Sequence, residues 1–490
     1  MKKTLAIILC AVMAALAGCG SQTSDTPAPL NGDPDTASAD VTEAAETESE
    51  QQKYIDALPE ADYEGYNFRM LVHEDATAWG TVSYYAEEEN GELLNDFIFR
   101  RNLAVSEKYN INITAEQTGD VAGKAKKFVT AGDDAYDMLS EYVKSILQSA
   151  VNGYYYNLYS VPGINLENPW WDAGCRDLLT INDRLYVAFS DMNVHPLDLL
   201  SGNLMVNNQL AENLGYGPTT HKALDGAWTF DVMQEMINAA SADIDGSGTM
   251  DQNDQFGFIA GVGDISPMIV SSGRQYLISE DGVLKLNYGS ESVIAAAEKM
   301  DPIINNKATT VYLNEQGWGY EVFKAGRALF RCSMIGSFFN EMRGLELDIS
   351  LIPDPKFDEA QERYHSMMSN CSMGVTVPAS VSDPERVGNI IEALGAHSYI
   401  AMDEVYYETT LQVKLARNED SRKILELLVE ARTPDLCVFN ENAYGTVLTS
   451  FLDTFHRSGA ANLASLAEKN AEKFAKVYDK IVTAYDGLPL

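Results

Sequence analysis

Tyr66-Asn67-Phe68-Arg69-Met70-Leu71-Val72-His73 is the stretch from which the fold class is read. Phe68, Met70 and Val72 alternate with Asn67, Arg69 and Leu71, the two-residue period of a strand. Downstream, Asn95-Asp96 can cap a helix whose apolar positions are Phe97, Ile98, Ala104, Val105 and Tyr109. Ile111-Asn112-Ile113 predicts a second strand, 124–130 a short helix and Tyr136–Leu139 a third strand. Strand–helix–strand–helix–strand order predicts an α/β domain with a largely parallel sheet.

Later segments lean towards helix. Thr229 is placed to cap a helix carrying Phe230, Met233, Ile237 and Ala240. Asp383-Pro384-Glu385 is a strong helix start, with Val387, Ile390, Ile391 and Leu394 on one face. Ile424, Leu427 and Leu428 mark another helix that stops near Pro434, and the last runs through Leu466, Phe474, Val477, Tyr478 and Ile481. No internal repeat is visible. The stretch 54–490 is too long for one small core and suggests two or three domains.

The first fifty residues address the chain. Lys2 and Lys3 precede an apolar run, Leu5 to Leu16, that ends in Leu16-Ala17-Gly18-Cys19. The run is shorter than the roughly 20 residues that span a bilayer, so residues 1–18 read as a signal peptide. Cys19 sits where a lipobox is cut and acylated, which predicts palmitate-type lipidation and attachment to the cell membrane through lipid only. Residues 20–53 hold Ser, Thr, Ala, Pro, Asp and Glu with almost no large apolar side chain, so residues 19–53 are expected to form a disordered acidic tether. As a random coil it would hold the folded part about 30 Å from the membrane.

The formal charge is −37. A surface this negative repels phosphate backbones, which argues against nucleic acid as a partner. Beyond Cys10 and Cys19, the cysteines are Cys175, Cys332, Cys371 and Cys437. An exported location permits bridging, and free buried thiols are an equal expectation; no spacing suggests zinc.

Several segments, taken in order, carry a family likeness. They are Asn168-Pro169-Trp170-Trp171-Asp172, Arg184-Leu185-Tyr186, 204–215 (LMVNNQLAENLG), Asp225-Gly226-Ala227-Trp228-Thr229, 243–258, and Ala325-Gly326-Arg327-Ala328-Leu329-Phe330. Behind a lipobox, this succession resembles the extracellular solute-binding lipoproteins of ABC importers, in the group that includes maltodextrin-binding proteins. Asn207-Asn208 departs from the Asn-Lys of many relatives, so no role of that lysine is carried over. The resemblance implies a two-lobed periplasmic-binding-protein-like fold with hinge strands and an interlobe ligand cleft. Lobe one would take 54–200 with 372–415, and lobe two 201–371 with 416–490. It further implies capture of a small solute, a carbohydrate first, and delivery to ABC permease subunits by hinge closure. A ligand-presenting module for a sensor and an exported glycan-active enzyme are the alternatives.

The sharpest local motif runs from Asp243 to Asp254. Calcium takes six to eight oxygens, and a 12-residue loop supplies them from positions 1, 3, 5, 7, 9 and 12. Those positions hold Asp243, Asp245, Ser247, Thr249 (through its carbonyl), Asp251 and Asp254, with Gly248 at the sharp turn. Asp254 replaces the usual glutamate and is one methylene shorter. A structural Ca2+ is expected, with an acidic metal-free surface turn as the plainer reading.

No nucleophile elbow and no His-Glu-x-x-His helix is present, and the six histidines follow no ligand spacing, so no catalytic role is assigned. A sugar ring packs its apolar face on an aromatic ring while its hydroxyls need polar partners. Open α/β sheets bind ligands beyond the carboxyl ends of their strands. That rule selects Glu74, Asp75 and Trp79 after the first strand, and Glu141 and Tyr142 after the third. Trp170, Trp171, Asp172 and Trp318 complete the candidates; core packing is an equal reading for the three tryptophans and the preferred one for Trp228.

Overall fold

In the folded chain Leu71 joins Phe68, Met70 and Val72 in the core rather than facing out with Asn67 and Arg69. The computed structural model describes residues 52–74, 84–193, 200–280, 283–336, 338, 345–412 and 419–489. Asp75, Trp79, Cys19, the signal and the tether lie outside the described residues. Leu71 is buried because its strand, β1 (Tyr66–His73), is interior to a sheet and covered on both faces, as parallel sheets are.

That sheet has the order β13-β3-β1-β2. Here β2 is Ile111–Thr118, β3 is Met138–Tyr142 and β13 is Met373–Thr376; β1 pairs with β2 and β3 in parallel, while β13 runs antiparallel to β3. The helix Leu93–Tyr109 joins β1 to β2. It begins two residues before Asn95, so Asp96 does not cap it; instead Asp96 Oδ1 accepts the N–H groups of Asn90 and Gly91 at 2.8 and 3.2 Å. The helix Val121–Ala131 joins β2 to β3, capped by Asp120. Pro384–Gln412 forms a long helix against Leu93–Tyr109, burying Val387, Ile390, Ile391 and Leu394.

A second sheet has the order β11-β5-β10-β6-β9. Its strands are β5 (Asn203–Asn207), β6 (Phe256–Ala260), β9 (Thr310–Tyr312), β10 (Ala328–Ser333) and β11 (Ile349–Pro353). Strands β6, β9 and β10 are parallel, and β5 lies antiparallel between β10 and β11. The carboxyl ends of β6, β9, β10 and β11 therefore share one edge. Thr229 caps the helix Phe230–Ala240 as its sequence suggests, and Trp228 is fully buried. Strands β7 (Leu277–Glu280) and β8 (Val283–Leu286) pair antiparallel in a separate two-stranded sheet.

Between the two sheets lies a three-stranded sheet, β14-β12-β4, made of Arg432–Thr433, Ser366–Met368 and Leu200–Ser201. A single residue, Gly202, separates β4 from β5; its φ of +90° is open to glycine and strained for any other residue. On the other crossing, four residues link β12 to β13.

Two C-terminal helices touch both lobes. In Glu441–Ser458, Glu441 contacts Lys144 and Asn370 beside β3, while His456 stacks on Tyr312 of β9 with ring centroids 3.5 Å apart. In Leu463–Asp486, Phe474 stacks on Tyr288 and Tyr485 meets Tyr186 edge-on, each pair at 4.9 Å.

Candidate functional site

The carboxyl ends of β1 and β3 bring three of the expected residues together. Tyr142 packs its ring 4.3 Å from that of His73, and His73 Nε2 lies 3.8 Å from Glu141 Oε1. Glu141 is nearly fully buried, and burial pushes its carboxyl upward. Its N–H bond from Tyr142, the nearby His73, and the N–H groups of Ala122 and Val121 pull it back. The last two belong to the first turn of Val121–Ala131, where a carboxylate is favoured by the helix dipole. Glu74 folds over Gly119: a Cβ there would sit 2.8 Å from Glu74 Oε1, so the glycine leaves room for the carboxylate. Cys371 and Lys144 flank Tyr142, with Lys144 Nζ 5.9 Å from its ring centre.

The matching edge of the second sheet holds Asp264, Tyr312, Arg331, Cys332 and Asp354. Asp264 Oδ2 accepts the Gly261 N–H at 2.7 Å. Burial raises the Asp264 carboxyl to about 6, against the opposing pull of the Gly261 N–H, Arg331 and Cys332. The Arg331 guanidinium lies 4.1 Å over the ring of the exposed Tyr320. The buried Tyr312 hydroxyl, near Asp264 and Asp453, has no hydrogen-bond partner among the described residues. The helix Glu441–Ser458 reaches from Lys144 at the first edge to Tyr312 at the second. Its 15-residue step from Glu441 to His456 spans about 22 Å, at 1.5 Å per residue. Each edge thus touches one end of a common rod. Together they offer carboxylates, a guanidinium, phenols and an imidazole, the mixed donors and acceptors that a polyhydroxylated solute needs.

Sequence reasoning did not select His73, Asp264, Tyr312, Arg331 or Asp354. The signal was available for Asp264 and Asp354, which follow β6 and β11 as Glu141 ends β3.

The remaining candidates are dispersed. Trp170 is buried against Tyr54 and Tyr399, and Gly395 admits it, since a Cβ there would lie 2.3 Å from Trp170 Cδ1. Trp171 is buried with its indole N–H donating to Glu392 Oε1 at 2.8 Å. Asp172 caps the helix Ala173–Leu179 through Cys175 N and lies 3.4 Å from Arg432 of the crossing sheet. Trp171, Asp172, Phe189, Asn193 and Arg432 line a cavity of about 260 Å³ beside that sheet. Trp318 is half-buried against Phe256 in lobe two. The four remaining cysteines are free.

In the 243–254 loop, oxygens of Asp243, Asp245 and Asp254 lie within 4.8 Å of one another. Asp243 accepts the N–H groups of Gly246, Ser247 and Gly248, which folds the loop around its carboxylate. Asp254 is buried; the N–H groups of Asp251 and Ile244 hold its carboxyl below the usual range. The Ser247 hydroxyl donates to the Thr249 carbonyl at 3.0 Å, and Asp251 accepts the Asn253 N–H.

No protein-family model and no curated protein sequence matches this chain. Solved structures do. UgpB from Mycobacterium tuberculosis in complex with glycerophosphocholine is 13% identical with a TM-score of 0.54, over 85% of this chain and 98% of that one. The ABC substrate-binding protein Lmo0181 from Listeria monocytogenes, in complex with cycloalternan, is 11% identical with a TM-score of 0.52, over 85% and 99%. The maltose/maltodextrin-binding domain MalE from Bdellovibrio bacteriovorus, bound to maltotriose, is 13% identical with a TM-score of 0.51, over 84% and 100%. This chain therefore has the two-lobed α/β fold of the solute-binding proteins.

Proposed function

We propose that this chain is a lipid-anchored, extracytoplasmic receptor that captures a carbohydrate between its lobes and delivers it to an ABC permease. The observation that carries the reading is the pair of polar strand edges, one per lobe, at opposite ends of the helix Glu441–Ser458. Lobe one is taken as 54–200 with 372–415, and lobe two as 201–371 with 416–490. The solute stabilises the closed form because only there do both edges touch it. The chain acts as a binder, and no residue is given a catalytic role.

Similar folds were solved with maltotriose and with glycerophosphocholine. Glu74, Glu141 and Asp264 crowd the edges, in a chain of net charge −37. Such a field disfavours a net anion and tolerates neutral hydroxyls, which suits a saccharide; glycerophosphocholine, whose phosphate is balanced by a quaternary ammonium, is the contrast. A thermal-shift screen of mono- and oligosaccharides, with glycerophosphocholine as a contrast, tests the reading. A solute at 100 times its Kd should add about 2.7 kcal/mol of stability. If no saccharide raises the melting temperature and glycerophosphocholine does, the sugar reading fails.

Two further parts belong to this proposal. Cys19 carries the lipid, and no helix among the described residues is long and apolar enough to cross a membrane. Ca2+ is held by Asp243, Asp245, Ser247, the Thr249 carbonyl, Asp251 and Asp254. Three carboxylates converging within 4.8 Å repel one another, and a divalent cation offsets that repulsion.

A further inference from the structure

We infer that Asp354 is a proton-operated latch on the joint between β4 and β5: its neutral carboxyl seals the joint, and its ionisation loosens it. Asp354 follows β11, and its N–H donates to the Gly202 carbonyl at 2.9 Å. Its side chain turns towards the same residue. A Cβ on Gly202 would stand 3.4 Å from Asp354 Oδ2, 3.3 Å from Met367 N and 3.6 Å from Pro267 Cβ. The carboxyl, the crossing strand β12 and the helix Ile265–Ser271 thus all border the same point over Gly202. Asp354 is 1% exposed, and neither carboxyl oxygen has a hydrogen-bond partner among the described residues.

The titratable groups facing it are Asp264, beyond β6, and Cys332, on β10; Arg331 acts on both of these. An ionised carboxylate with no donor, beside another acid, is strongly disfavoured in so dry a place. Burial first, and Asp264 second, raise the Asp354 carboxyl well above its ordinary value. Gly202 is the only residue between the crossing sheet and β5. Rotation about it would part Asp354 from β12 and admit water, which solvates the ionised form.

The sign follows from proton linkage. The sealed joint binds the proton more tightly than the open one, so sealing is fully favoured below the ordinary aspartate range. It weakens as pH rises towards the sealed group's own pKa. Over that window the opening constant grows up to tenfold per pH unit. The inference stands on the hinge geometry and is independent of which solute is bound.

Hydrogen exchange of the full chain between pH 5 and 8, corrected for intrinsic exchange rates, tests it. Protection of the amides of Asp354 and of β5 should fall up to tenfold per pH unit in the wild type, while amides of β1 hold theirs. Asp354→Asn keeps the shape without the titration and should flatten the profile; Asp354→Ser serves if the amide does not fold. Asp264→Asn should keep the slope over a narrower range. A flat wild-type profile, an equal slope in Asp354→Asn, or the same slope in β1 would each overturn the latch.

Discussion

Replacing Tyr142 by alanine should weaken solute binding without abolishing the fold. Tyr142 is half-buried at the end of β3, with its ring against that of His73, and the proposed solute packs on the part that stays exposed. A buried aromatic side chain contributes about 150–250 Å² in all, so one ring face offers about 75 Å². At about 25 cal/mol per Å², losing that face costs about 2 kcal/mol, or about 25-fold in Kd. Isothermal titration with a saccharide found by the thermal-shift screen would read the change, and the unliganded melting temperature would report damage to the His73 contact. Tyr142→Phe keeps the ring and should bind within a few-fold of wild type. A folded Tyr142→Ala protein with undiminished affinity would remove Tyr142 from the site. Equal losses in Phe and Ala variants would show that the hydroxyl, and not stacking, carries the contact.

Cys19→Ala should release the protein from membranes in a fractionation experiment, because residues 20–53 contain no apolar segment to retain it; continued association after signal cleavage would assign the anchor elsewhere. Calcium added to chelator-stripped protein should raise the melting temperature, and Asp243→Ala with Asp245→Ala should erase the response; an unchanged response would place the metal elsewhere. Glu392→Ala should destabilise the fold by about 3 kcal/mol in denaturant titration, since the Trp171 indole, the Asn168 amide and the Asn165 N–H would lose their acceptor. A loss near zero would mean that water replaces that carboxylate freely.

The order of elements around β1 was legible because a strand and its crossover helix each write their period within about twenty residues. Glu74, Glu141 and Tyr142 were legible by the same local logic, as residues at strand ends. Leu71 was not, because its burial depends on helices covering both faces of the sheet. The Asn168–Asp172 motif left two readings open for a related reason. A Trp-Trp-Asp run suits a sugar platform and a helix cap equally, and the partner that decides Trp171 is Glu392, 221 positions away. The place of Asp354 after a strand was legible but its burial was not: in sequence it is one carboxylate among 72 acidic residues. Its dryness comes from tertiary packing around the Gly202 joint, where it is 1% exposed.

The helix Leu463–Asp486 is clamped at two buried aromatic contacts, Phe474 on Tyr288 and Tyr485 on Tyr186, one in each lobe. About 16 Å of helix lies between the clamps, at 1.5 Å per residue. Any swing of one lobe against the other must flex this span like a leaf spring or tear a clamp loose. Elastic energy stored there is subtracted from whatever the solute gains by touching both walls. A stiffer span makes a weaker trap that reopens faster, and each 1.4 kcal/mol of flexure raises Kd tenfold. Receptor avidity can therefore drift through residues between 474 and 485 that never meet the cargo, leaving recognition intact while the release rate is retuned.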